Sequence, residues 1–211
     1  PRSKAGPVTV AVTGPFASGK STFVRLLGEL GAETVSSDEI VHDLLAEDRE
    51  TITRIVERFG EDILGERGID RRALGRKVFG DPEALSDLEE ILHPLVRRET
   101  DRRIVASETD LFVAEIPLLF EGGRSSGFDY TVAVTVPEER RRVWAKGRGV
   151  DEAALRAIEA RQLSQEEKAR RADLVVPNDG DLDKLKEQAE ELREGILRDR
   201  SADDSVRQQK A

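Results

Sequence analysis

The stretch Gly14-Pro15-Phe16-Ala17-Ser18-Gly19-Lys20-Ser21-Thr22 constrains this chain more than any other. It stands directly after an apolar run, Val8-Thr9-Val10-Ala11-Val12-Thr13, and directly before the helical pattern Phe23-Val24-Arg25-Leu26-Leu27. This is a complete GxxxxGKS phosphate-binding signature, in the strand, loop, helix order that it requires. In such a loop the backbone N–H groups, with those of the first helical turn, point into one concavity where the helix dipole also favours negative charge. Lys20 can reach β- and γ-phosphates as a point charge, and the Ser21 hydroxyl is placed to ligate Mg2+. The ligand this arrangement predicts is a nucleoside triphosphate, ATP by default. The bland alternative is a degenerate loop that keeps the shape and has lost its ligand.

The 211 residues suffice for one well-buried core with a smaller insert and fall short of two full domains. A net charge of −9 argues against a broad grip on nucleic acid or an anionic membrane. With no cysteine and only His42 and His93, neither a disulfide framework nor a thiolate or multi-histidine metal site is expected. No run approaches the length of a membrane helix, and Pro1–Pro7 lacks the apolar core of a secretory signal. A cytoplasmic monomer acting on small molecules is the expectation.

Further apolar runs read as buried parallel strands: Thr34-Val35, Leu111-Phe112-Val113-Ala114, Tyr130 to Val136, and Leu174-Val175-Val176. Helical stretches lie between them. The fold class is therefore α/β, a P-loop-type parallel sheet flanked by helices, with ligands beyond the carboxyl ends of the strands. One domain is expected over residues 7–200. Residues 48–106 carry no strand signal, show helical spacing at Ile52, Ile55, Val56 and Phe59 and at Leu85, Leu88, Ile91 and Leu92, and read as a helical insert. Residues 138–172 are helical, very basic and broken at Gly147-Arg148-Gly149, as in a mobile lid. Residues 201–211 are polar and small, and are expected to be disordered.

Asp38, just beyond the second strand, fits two roles. It could accept a proton from a hydroxyl attacking the γ-phosphate, or it could cap the following helix. Glu115 closes the third strand where P-loop enzymes keep an acid that orients Mg2+; its alternative is an unliganded loop carboxylate. Among Arg140, Arg141, Arg142, Lys146 and Arg148, one or two could clamp phosphates while the rest form a solvated helix face. Residue type alone does not choose between them. His93 has the default reading of a structural histidine, and His42 that of a surface residue.

Together, the loop, Ser36-Ser37-Asp38, Phe59 to Leu64, Gly68 to Leu74, Leu88-Glu89-Glu90-Ile91-Leu92-His93-Pro94 and Glu115-Ile116-Pro117-Leu118-Leu119-Phe120-Glu121 resemble the dephospho-CoA kinases. The stretch from Arg161-Gln162 to Asp179-Gly180 resembles them too, so the likeness runs from about Val8 to Leu197. It implies transfer of the ATP γ-phosphoryl group to the ribose 3′-hydroxyl of dephospho-CoA, with Mg2+. It further implies Asp38, Lys20 and Arg148 as catalytic groups and residues 14–22 as the nucleotide loop. Ser21 and Glu115 would stand at the metal, and Asp38, His93, Leu118, Glu121 and Arg140 at the substrate. The family usually has Gly at positions 15 and 17, often Asp at 36, and Asp at 115. Another small-molecule P-loop kinase, or a nucleotide-binding module without turnover, would share the loop but not the His93-Pro94 and Pro117–Glu121 marks.

Overall fold

The computed structural model describes residues 6–208, which divide into two compact units, residues 6–34 with 106–208 and residues 35–105. The first unit is built on strands β1 (Val8–Thr13), β5 (Leu111–Glu115), β6 (Tyr130–Thr135) and β7 (Leu174–Pro177). With β2 (Glu33–Ser36) they form a five-stranded sheet in the order β2-β5-β1-β6-β7. β1 pairs in parallel with both β5 and β6, and β6 with β7. β1 is thus central, and chain order reverses around it. That makes its carboxyl end the place where a ligand crevice opens in sheets of this type.

Burial follows from this position. All six residues of β1 and all five of β5 are buried, which is why both read as continuous apolar runs rather than alternating ones. Helix α1 (Lys20–Glu29) lays Phe23, Val24, Leu26 and Leu27 on the sheet, and α9 (Leu182–Gln208) adds Leu185, Ala189 and Ile196 at helical spacing. α9 corrects the expected disordered tail. After Gly195 nothing in the segment breaks a helix, so the polar residues extend it to Gln208, and residues 209–211 lie outside the described residues.

The second unit contains α2 (Ser37–Glu47), α3 (Arg49–Phe59), α4 (Arg71–Val78) and α5 (Pro82–Ala106), and it begins before the expected boundary at residue 48. The reason is packing: Leu45 of α2 is buried in the same cluster as Ile55, Phe59, Ile63 and Leu74. Asp48 and Asp70 cap α3 and α4 by accepting hydrogen bonds from Thr51 N and from Arg72 and Ala73 N. The Thr51 hydroxyl, followed by the capping Thr51 amide, holds the Asp48 carboxyl below the usual aspartate range, and the capping amides of Ala73 and Arg72 do the same for Asp70. A short antiparallel pair, β3 (Leu64–Gly65) with β4 (Gly68–Ile69), departs from the expectation of a strand-free insert. Two-residue strands are too short to leave a periodic signal. α5 continues through Pro94, so the Glu90 carbonyl loses its i→i+4 partner there.

Helices α6 (Glu138–Gly147), α7 (Glu152–Glu159) and α8 (Gln165–Arg171) make up the basic segment of the first unit. Among the described residues no helix is long and apolar enough to cross a membrane.

Gly68 is a backbone position with no room for a side chain. It holds φ +78°, and a Cβ there would lie 2.3 Å from the Leu45 carbonyl oxygen and 2.7 Å from that of Ala46. Gly68→Ala is therefore expected to destabilise the protein by about 2 kcal/mol or more. Gly147→Ala, with open space around the new methyl, should stay within about 0.5 kcal/mol of the parent. Urea unfolding of the two variants measures the difference.

Candidate active site

The loop that leaves β1 is shaped by contacts with no room for side chains. A Cβ on Gly14 would stand 2.4 Å from the Val134 carbonyl oxygen, and one on Gly19 would stand 2.2 Å from Asn178 Nδ2. Gly19 is the N-cap of α1 with φ 90°, a left-handed conformation that glycine adopts at no steric cost. Ala17 is the one described non-glycine residue with positive φ, at 59°. That conformation costs roughly 1–2 kcal/mol for a residue with a Cβ. Its methyl is 3% exposed and packs with Ala145 and Leu155, so the burial offsets part of the strain.

Two charged residues of the loop region are buried. Lys20 is 7% exposed and donates a hydrogen bond to the Pro15 carbonyl at 2.8 Å, which draws the ammonium across the loop. Glu115, at the end of β5, is 8% exposed, and its Oε1 accepts from the Ser21 hydroxyl at 2.9 Å. The hydroxyl and carboxylate expected at the metal are thus brought together by β5 and the first turn of α1. They form a hard-oxygen pair of the kind Mg2+ uses, and among the described residues there is no larger cluster of His, Asp and Glu.

The basic segment sorts by partner. Arg141 is ion-paired with Glu138 at 2.7 Å and with Glu159. Arg142 pairs with Glu138 at 2.9 Å. Arg140 donates to the Gly180 carbonyl and lies over the Trp144 ring, 5.6 Å from its centroid. Arg148 lies at the C-cap of α6, over the ring of Phe16 in the phosphate loop at 5.8 Å. Exposed and without an ion pair among the described residues, it is the arginine of this segment whose charge stands at the loop.

Glu121 and Leu118 lie in the turn after β5. Leu118 is partly buried and its carbonyl accepts from Gly122 N at 2.9 Å. Glu121 Oε1 accepts from Lys168 Nζ at 2.8 Å and from Leu163 N at 2.7 Å, while Oε2 is buried with no hydrogen bond. Lys168, fully buried, also donates to the Pro117 carbonyl at 2.7 Å and reaches Thr13 Oγ1 at 3.5 Å. Burial pulls its pKa below the usual lysine value, against the opposing effect of Glu121. Lys168 therefore ties α8 to the residue that precedes Gly14. Sequence reading missed it, because in the run Glu166-Glu167-Lys168-Ala169-Arg170-Arg171 it looks like one more surface charge.

In the second unit the cap of α2 is Ser36, whose hydroxyl accepts from Asp38 N at 3.2 Å. Asp38 sits in the first turn, exposed, and its carboxylate has no partner among the described residues. The capping role weighed for Asp38 thus belongs to Ser36. His93 is exposed on α5 and lines a cleft of about 430 Å³ with Pro94, Arg97, Arg98 and Asp101. His42 is exposed.

A family model described as dephospho-CoA kinase matches residues 8–184 of the chain. The dephospho-CoA kinase of Carboxydothermus hydrogenoformans is 40% identical over 185 residues, 85% of this chain and 89% of that one. A crystal structure from Thermus thermophilus superposes with a TM-score of 0.77 at 33% identity, covering 92% of this chain and 98% of that one. The dephospho-CoA kinase from Campylobacter jejuni gives 0.67 at 29% identity, covering 89% and 96%.

The Glu121–Lys168 pair lends itself to a double-mutant cycle. Glu121→Gln leaves a buried ammonium without its counter-charge and should cost about 3 kcal/mol of stability. Adding Lys168→Met removes that ammonium, and the double variant should recover at least a third of the loss in urea unfolding. Additive losses would mean that the two side chains do not depend on each other.

Proposed function

Because the chain belongs to the dephospho-CoA kinase family, we propose that it transfers the γ-phosphoryl group of ATP to the ribose 3′-hydroxyl of dephospho-CoA, giving coenzyme A and ADP. The observation that carries the reading is the phosphate cradle after β1, with buried Lys20 inside it and Ser21 bonded to Glu115. The loop amides and Lys20 bind the β- and γ-phosphates and spread the charge that develops as the bond from the γ-phosphorus to the bridging oxygen breaks. Ser21 and Glu115 would hold Mg2+, which when bound neutralises charge between those phosphates. Arg148 adds a guanidinium on the loop side of the transferring group.

The base and the acceptor site belong to one unit. Asp38 takes the proton of the 3′-hydroxyl as its oxygen bonds to phosphorus, and its unspent carboxylate suits that role. The α5 cleft suits the acceptor's diphosphate. The side chains of Arg97 and Arg98 are exposed there, although the charge of Arg98 also acts on Asp48, and His93 stands one turn before Arg97. Glu121 and Arg140 hold the chain to itself in this arrangement, so their contribution to substrate binding runs through the turn after β5 and the base of the lid.

A coupled assay of ADP release with dephospho-CoA, with other alcohols and without acceptor tests the reading. ADP release should depend on dephospho-CoA. Lys20→Ala should lower it by about a hundredfold or more, and Asp38→Asn by a similar factor with ATP affinity kept within a few-fold. Arg97→Ala should raise the KM for dephospho-CoA roughly tenfold and leave that for ATP in place. Equal turnover with an unrelated alcohol would move the chain to a different acceptor class.

A further inference from the structure

The chain has one asparagine, Asn178, and it is 5% exposed. It follows β7 and is fixed by its own backbone, since Asn178 N donates to the Thr135 carbonyl at 2.7 Å at the end of β6. Its side-chain amide reaches 160 positions back along the chain and donates from Nδ2 to the Ser18 carbonyl at 2.9 Å. The same nitrogen occupies the space where a side chain on Gly19 would begin, 2.2 Å from that ideal Cβ. Position 19 is therefore glycine for two reasons, the left-handed backbone and the amide packed against its α-carbon.

Gripping this carbonyl has a geometric consequence. The Ser18–Gly19 peptide is planar and trans, so its C=O and N–H point in opposite directions. A donor that holds the Ser18 oxygen from behind the loop sets the direction of the Gly19 N–H. That N–H is one of the groups a phosphate-binding loop must aim into its concavity. Ser18 is fully buried and its own hydroxyl makes no hydrogen bond, so the side chain of Ser18 does not share the task. The segment is braced again two residues on, where the Gly180 carbonyl accepts from Arg140.

We propose that Asn178 is a positioning residue for phosphoryl transfer, which keeps the Gly19 amide aimed at the donor's phosphates without touching the nucleotide itself. The inference rests on nucleotide binding at the Gly14–Thr22 loop and not on the identity of the acceptor. Donor geometry set before the substrate arrives costs no reorganisation when charge develops. Loss of the Asn178 donor should therefore appear in both ATP affinity and kcat.

Two substitutions separate hydrogen bonding from packing. Asn178→Asp keeps size and shape and sets a carboxylate oxygen against the Ser18 carbonyl; Asn178→Ala removes the donor without adding charge. The single tryptophan, Trp144, packs against the cluster that holds Ala17, so its fluorescence, with calorimetry as the independent measure, is the readout for ADP titration. We expect ADP affinity to fall about tenfold in Asn178→Ala and further in Asn178→Asp, kcat to fall about tenfold or more, and the KM for dephospho-CoA to stay within twofold. In the parent protein labelled with 15N-asparagine, the one side-chain amide should give one pair of signals, one of them protected from exchange and shifted by ADP. This last measurement stands even where neither variant folds.

Unchanged ADP affinity in either folded variant overturns the proposal, as does a side-chain amide that exchanges freely and ignores ADP. A parallel rise in the KM of both substrates with a lowered Tm would also overturn it, by marking Asn178 as general support. Failure of the acceptor assignment is a separate result: ADP would then bind as expected while dephospho-CoA drew no turnover from the parent protein.

Discussion

Everything at this site depends on how closely the main chain can approach itself as it leaves β1. Gly14 sits against the Val134 carbonyl and Gly19 against the Asn178 amide, and both contacts exclude even a methyl group. Space denied to side chains is what leaves backbone N–H groups lining the concavity. The neighbours doing the excluding come from β6 and from the residue after β7, so the loop is shaped by the sheet rather than by its own sequence alone. β1 can supply that geometry because it is central, with β5 on one side and β6 on the other.

The same edge of the sheet collects ionised groups that would be costly if left alone. Lys20, Glu115 and Lys168 are all under 9% exposed, and desolvation of such charges costs several kcal/mol per ion unless partners are in place. Each has one. Lys20 is held by the Pro15 carbonyl, Glu115 by the Ser21 hydroxyl, and Lys168 by Glu121, the Pro117 carbonyl and Thr13. Lys20 and Glu115 face the chemistry that the proposed function describes. Lys168 and Glu121 instead join the strand that leads into the loop to the turn after β5 and to α8. What the pair supplies is thus a fixed connection between these three segments, with the buried ammonium matched by a partly buried carboxylate.

What could be read from the sequence follows the range of the interactions involved. Strands buried on both faces announce themselves as apolar runs, so β1, β5 and β6 fall where expected, within a residue or two; β7 also falls at its apolar run, but as an edge strand with Leu174 and Val175 exposed rather than as the buried strand expected. The loop signature is local, and it identifies Lys20 and Ser21 by spacing alone. The β3–β4 pair is too short for any period to register, and α2 belongs with the second unit because of tertiary contacts through Leu45 that no local pattern contains. Lys168 reaches partners as far as 155 positions away, and Asn178 one 160 positions away. In the sequence one is a charge among charges and the other a turn residue. A resemblance across the whole stretch was the one signal that could have marked them, and it marks presence without giving a reason.

The unusual composition of the loop gains a physical account from its neighbours. With Ala at position 17 the loop keeps a left-handed residue at some backbone cost, yet the methyl enters a small apolar cluster with Ala145 and Leu155, flanked by Phe16, Trp144 and Val150. Glycine there would relieve the strain and leave the cluster without its loop-side member. The cluster joins the phosphate loop to α6 and α7, and Arg148 lies over Phe16 at its rim. Apolar contact thus fixes where the basic segment meets the loop, and the guanidinium is carried to that place by packing rather than by an ion pair. A charge held in this way is not neutralised by its own support, which leaves Arg148 available to a phosphate while Arg141 and Arg142 are spent on glutamates.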